Sequence, residues 1–153
     1  MKNKKKLVRE QLDATLKAFR PLMVIQFPPK GWIRAIRDAL GMNGRQFADR
    51  LNVTRQRSDQ IEKGELTGSL TIKTMRRIAD GLDCVFVYAL VPRTSLADTV
   101  REQAKRVACK RLEQASQTMA LEDQGLSKEE NEQARSDMIE DLMDNPPTNF
   151  WDE

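Results

Sequence analysis

The chain contains no histidine in its 153 residues. That excludes histidine acid–base chemistry and most zinc sites. Cysteine is scarce: Cys84 and Cys109 stand far apart, with neither metal-ligand spacing nor a disulfide framework. They read as reduced thiols of a cytoplasmic protein. No glycine-rich phosphate loop occurs, and no serine or cysteine has a histidine to activate it. Carboxylates are plentiful but fall on charged helical surfaces without a paired site. An enzyme is not expected, nor a metal or cofactor. Long apolar runs are also missing. The basic Met1–Lys6 is followed by no apolar core, so neither a signal peptide nor a membrane span is expected.

What the chain does have is charge, unevenly placed. Charged residues make up 32%, and the net charge is only +3. Residues 1–111 hold 24 Lys/Arg and 11 Asp/Glu, a net +13, whereas residues 112–153 hold 2 and 12, a net −10. A polyanion would be met by the first part and repelled by the second. The acidic part then serves as a solubilising tail or faces a different, basic partner.

The basic part contains MNGRQFADRLNVTRQRSDQIEKG, Met42–Gly64. Asn43 with Gln46 three residues on is a capping-box pattern that starts a helix near Gly44. Phe47, Ala48 and Leu51 share one face, and the small Ala48 admits a second helix closely. Asn52 tolerates the left-handed conformation that a sharp turn requires, and Val53 plugs the corner. Thr54 caps a second helix running to about Lys63, with Ile61 inward and Gly64 as its C-cap. Arg55, Gln56, Arg57 and Gln60 lie at its start and along its outer face. Arginine can pair bidentately with guanine and glutamine with adenine in a DNA major groove, and a helix N-terminus attracts phosphate.

On these residues the segment resembles the helix-turn-helix of phage-repressor and Xre-type regulators, over about Ile33–Cys84. Two positions depart from that pattern. Gly44 stands where a phosphate-gripping Gln is usual, and Ser58 where an apolar residue is usual. PPKGWIRAIRDALGM upstream, DCVFVYALVP downstream and TMALEDQ beyond are similar to the mobile mystery protein A family. That resemblance implies a small DNA-binding protein paired with a partner carrying a Fic domain, an AMP-transferring fold, and hence a toxin–antitoxin-like role. It implies base reading by Arg55, Gln56 and Gln60. Phosphate binding is expected of Asn43, Arg45, Thr54 and Arg57. Some Fic antitoxins carry Ser/Thr-x-x-x-Glu on a helix, whose Glu obstructs nucleotide binding. Thr118 and Glu122 approximate it, with Asp123 departing from the Gly or Asn that usually follows, and Ser58 with Glu62 and Ser136 with Glu140 fit the same loose spacing.

Elsewhere, Leu7, Leu12, Leu16 and Phe19 form a loose helical stripe, and KNKKK is either a basic arm or a solvated end. Pro21–Lys30 is a connector. Helix resumes at Gly31 or Trp32 with Ile33, Ile36 and Leu40 inward and Trp32 packing. Thr71 caps a helix bearing Ile72, Met75, Ile78, Ala79 and Leu82, and Arg76 and Arg77 face backbone phosphate or solvent. Cys84–Val91 is an apolar run of strand length closed by Pro92. A lone strand leaves its backbone unsatisfied, so it needs a second strand, from this fold or from another subunit. Ser95 caps a long helix, Leu96 to about Glu122. Ser127 and Glu130 form a capping box for another, which Pro146-Pro147 closes. Phe150 and Trp151 dock on their own domain or anchor a partner.

The expected fold is mainly α: an Xre-type helix-turn-helix domain with one short β-strand and helical extensions at both ends. The division is 1–30, an N-terminal helix and proline-rich connector; 31–92, the DNA-binding domain with its strand; and 93–153, the acidic helical extension. The expected function is sequence-specific regulation of its own operon, as a homodimer on double-stranded operator DNA, together with action as antitoxin of a Fic-domain toxin. Dimerisation would use Cys84–Val91 or the C-terminal helices. The alternative is a protein-binding inhibitor acting directly on its partner enzyme, with DNA binding secondary.

Overall fold

A computed structural model describes residues 2–121 and 127–152. The chain divides into two compact units, Val24–Ala89 and a second made of Met1–Met23 with Leu90–Glu153.

The unit Val24–Ala89 holds four helices: α2 (Trp32–Ala39), α3 (Gly44–Arg50), α4 (Arg55–Thr67) and α5 (Ile72–Gly81). Each start has a local or remote cap. Asn43 accepts from the N–H groups of Arg45 and Gln46, and Gln46 returns the bond to Asn43 N–H. Thr54 and Thr71 cap α4 and α5 through Arg57 N–H and Thr74 N–H. Helix α2 has only Gly31 before it, and Glu65 of α4 fills the gap. Its carboxylate accepts from Trp32 N–H at 2.8 Å and Ile33 N–H at 2.9 Å. Gly31 has φ +81, and a β-carbon there would lie 2.5 Å from a Glu65 oxygen. Glycine is thus favoured by the conformation, and a side chain there would displace the Glu65 carboxylate from its capping position.

Ile33, Phe47, Leu51, Ile61, Ile78 and Leu82 are buried together, with Ile36, Met42, Val53, Leu70, Met75 and Cys84 packed around them. Between α3 and α4 the chain turns at Asn52, whose φ is +53. A polar strap reinforces the apolar contact. Arg37 on α2 bonds Glu62 on α4 at 2.6 Å and the Met42 carbonyl at 2.8 Å. Arg77 on α5 bonds the Leu51 carbonyl at the end of α3.

The other unit contains α1 (Lys2–Lys17), all but the last residue of a short 3-10 turn (Arg20–Val24), α6 (Leu96–Leu121) and α7 (Lys128–Asp144). Val100, Ala104, Val107 and Ala108 of α6 are buried against Leu142 and Phe150. The two alanines, four apart on one face, let α7 come close. Asp13 of α1 accepts from Leu96 N–H and Ala97 N–H, and Ser95 from Asp98 N–H, so two residues cap α6. Ser127 and Glu130 form the capping box of α7.

Several expectations are corrected. No β-strand occurs among the described residues. Cys84–Val91 lacks regular secondary structure, because among the described residues no second strand lies along its backbone. Helix α4 passes Gly64 and ends at Thr67, with Gly68 as its left-handed cap at φ +71. Gly64 is buried in packing: a β-carbon on it would meet Leu70 at 2.9 Å. Leu7, Leu12 and Leu40 are exposed; Trp32 is partly exposed but packs edge-on against Phe27 in a T-shaped pair. Of the two C-terminal aromatics, Phe150 is buried and Trp151 is exposed.

Candidate nucleic-acid interface

The site is built on α4, which is about 20 Å long at 1.5 Å per residue. Its inner face is fixed by three buried residues, Ser58, Ile61 and Gly64. With 3.6 residues per turn, burying those positions turns Gln56, Gln60 and Lys63 outward as one stripe, flanked by Arg55 and Asp59. All five are exposed.

The N-terminal end gathers the positive groups. The Thr54 side chain accepts from Arg57 N–H at 3.2 Å, leaving its own hydroxyl proton to donate outward. Arg57 donates to the Gln60 amide oxygen at 3.3 Å, so the two side chains hold one another. The Arg55 guanidinium lies over the start of α3: a β-carbon on Gly44 would be 3.8 Å from its Cζ and Nε. Arg45, exposed in the first turn of α3, and Asn43, its capping residue, stand at the same kind of helix start. Unsatisfied N–H groups and the positive end of the dipole favour an anion there.

Behind this surface sits the buried ion pair of Arg37 and Glu62. The Glu62 hydrogen bond raises the Arg37 guanidinium above its ordinary pKa, against the opposing effect of burial. The Glu62 carboxylate is thus paired with a positive charge on the flank of α4.

All the residues expected to read bases or grip phosphate are in this unit and exposed: Asn43, Arg45, Thr54, Arg55, Gln56, Arg57 and Gln60. Lys63 was missed, although it falls three residues after Gln60 and seven after Gln56. Asp59, an exposed carboxylate, stands on the same face. Arg77 is tied to Leu51, whereas Arg76 is exposed and makes no hydrogen bond or ion pair among the described residues. Thr118 is on α6, exposed, its hydroxyl bonded to the Gln114 carbonyl, and Glu122 lies outside the described residues. Both cysteines are free thiols. Among the described residues no cluster of His, Cys, Asp or Glu could hold a metal, and no helix is long and apolar enough to cross a membrane.

Residues 33–85, about a third of the chain, match the helix-turn-helix family model. The matched stretch runs from the first buried residue of α2 through α5 to the apolar segment after it. The chain thus carries an Xre-type helix-turn-helix domain. Such a domain is a DNA-binding module and points to a transcription regulator. No curated protein and no solved structure matches the chain.

Proposed function

We propose that the protein is a sequence-specific repressor of its own operon that also acts as antitoxin of a Fic-domain toxin. The observation that carries the DNA-reading half is the exposed stripe of Gln56, Gln60 and Lys63 beside Arg55. The stripe stands on a helix whose inner face is fixed by burial. In this reading α4 enters the major groove. Arg55, Gln56 and Gln60 contact base edges, while Asn43, Arg45, Thr54 and Arg57 hold phosphates. A single helix touches only a few base pairs, so a homodimer on two half-sites, centred about 10 base pairs or a multiple apart, supplies the remaining selectivity.

The antitoxin half draws on the family resemblance and on the acidic C-terminal part, net −10 over residues 112–153, which suits a basic partner surface rather than DNA. The second reading, direct inhibition of the partner enzyme with DNA binding secondary, draws on the same charge.

Selection of duplexes from a random pool by the full chain tests the first half. A recovered two-fold motif supports it, and a pool that stays random at moderate ionic strength refutes it. For the second half, the Fic-domain partner is assayed with the wild-type chain and with Glu122→Gly. Inhibition by the wild type and not the variant supports obstruction by Glu122. Equal inhibition removes Glu122 from the mechanism, and no inhibition by either removes direct action altogether.

A further inference from the structure

Cys84–Val91 has eight residues and no charge, and the helix-turn-helix core accounts for only its first part. Cys84 N–H bonds the Ala79 carbonyl, and Cys84–Val87 border an apolar cavity of about 260 Å³ with Trp32, Ile36 and Met75. Beyond Cys84, residues 85–93 make no backbone hydrogen bond among the described residues. Four of their apolar side chains face solvent: Val85 is 85% exposed, Val87 69%, Tyr88 60% and Leu90 88%. Unpaired backbone together with exposed β-branched and aromatic side chains fits a strand in search of a ladder, not a pocket for a small molecule.

The flanking charges identify the other strand. Asp83 precedes the segment and Arg93 follows it. Both are exposed, and neither side chain is in a salt bridge among the described residues. In an antiparallel pair of identical strands, opposed residue numbers have a constant sum. Centring the pair on Tyr88 sets Asp83 opposite Arg93 of the second copy at both ends. The same register sets Val85 opposite Val91 and Phe86 opposite Leu90. Pro92 then faces Cys84. With Tyr88 in a non-hydrogen-bonded pair, Pro92 also falls at a non-hydrogen-bonded position, where its missing N–H is not needed.

We infer that residues 85–91 form an antiparallel two-stranded ribbon with the same residues of a second copy, centred on Tyr88, with Asp83, in the left-handed turn that ends α5, and Arg93 flanking it. This rests on the homodimer reading above and assigns its surface. The ribbon pairs the inward-facing backbone groups, sets the four exposed apolar side chains beside apolar cross-strand neighbours and brings opposite charges together at each end.

The test uses the full chain with Cys84→Ser and Cys109→Ser, adding one new cysteine. Non-hydrogen-bonded partners have Cα atoms about 4.5 Å apart, within disulfide range. Under mild oxidation Tyr88→Cys therefore gives a covalent dimer, whereas Val85→Cys, far from its own counterpart, does not. In sedimentation, Asp83→Arg and Arg93→Asp each raise the dimer Kd about tenfold, and mixing the two variants restores association as a heterodimer. If the wild type is dimeric but both cysteine variants behave alike, or the mixture shows no recovery, the ribbon is refuted and the dimer stands. A wild-type chain that stays monomeric even on a two-fold duplex refutes both.

Discussion

The hydroxyl of Ser58 on α4 donates to the Arg55 carbonyl at 2.8 Å and lies 3.3 Å from the Gly44 carbonyl at the start of α3. Gly44 and Ser58 are the two residues that depart from the usual pattern of their motif, and they meet one another. Ser58 is 1% exposed, so its polar group sits at the crossing of the two helices and is satisfied there. The small side chain lets α4 lie close to α3, and the Arg55 guanidinium lies above Gly44, where a β-carbon would be in ordinary contact with it at 3.8 Å.

Substitution at this crossing separates volume from hydrogen bonding. Ser58→Ala is expected to cost about 0.5–1.5 kcal/mol, the net value of an ordinary hydrogen bond. Ser58→Leu, apolar as is usual at this position, is expected to cost more, about 1–3 kcal/mol, because the space is filled. Urea denaturation of the two variants gives the order. A stabilised Ser58→Leu protein would mean that the crossing has slack.

The Arg37–Glu62 strap behaves as a buried ion pair, with both side chains close to nine-tenths covered. Arg37→Ala leaves the Glu62 carboxylate without its counter-charge and is expected to cost about 3 kcal/mol. The double change Arg37→Met with Glu62→Leu is expected to recover most of that loss. Thermal unfolding of both variants checks the pair. A double variant no better than the single would show that Arg37 acts through its bond to the Met42 carbonyl instead.

Glu65 caps α2 across a sequence distance that no local pattern reveals. Glu65→Ala removes acceptors from two N–H groups and is expected to cost about 1–2 kcal/mol, with fraying of α2 first. Amide exchange reads this directly. Accelerated exchange at Trp32 and Ile33, with Ile61 unchanged, is the expected pattern, and uniform acceleration would contradict a local cap.

Most of what was legible in the sequence was held by contacts within a few residues. Asn43 with Gln46, Ser127 with Glu130, and the caps Thr54 and Thr71 appear as read, because each bond closes inside one turn. The left-handed Asn52 was legible for the same reason. What escaped depends on distant partners. Gly64 looks like a helix end, but its missing β-carbon serves Leu70, and the chain turns at Gly68. Glu65 looks like a solvated charge until the uncapped start of α2 is brought beside it. The strand expected at Cys84–Val91 has the right residues, yet a single copy offers it no ladder. On the outer face of α4, the glutamines were legible by type, and Lys63 was overlooked although its spacing continues theirs.

Phosphate grips and base readers are expected to differ in salt dependence. Arg45→Ala should weaken all duplexes alike and lower the slope of log K against log salt by about 1. Titration at several salt concentrations measures that slope. A loss confined to one sequence would move Arg45 into the base-reading group.

The most direct test of the central claim, that the outer stripe of α4 reads base edges, is the binding of Gln56→Ala to a selected duplex and to the same duplex scrambled. Loss of a good base contact should reduce affinity for the selected duplex by about 1–3 kcal/mol and relax preference at one position, with the scrambled duplex unaffected. Equal affinity of variant and wild type for the selected duplex, or an equal loss on both duplexes, would contradict base reading at this helix.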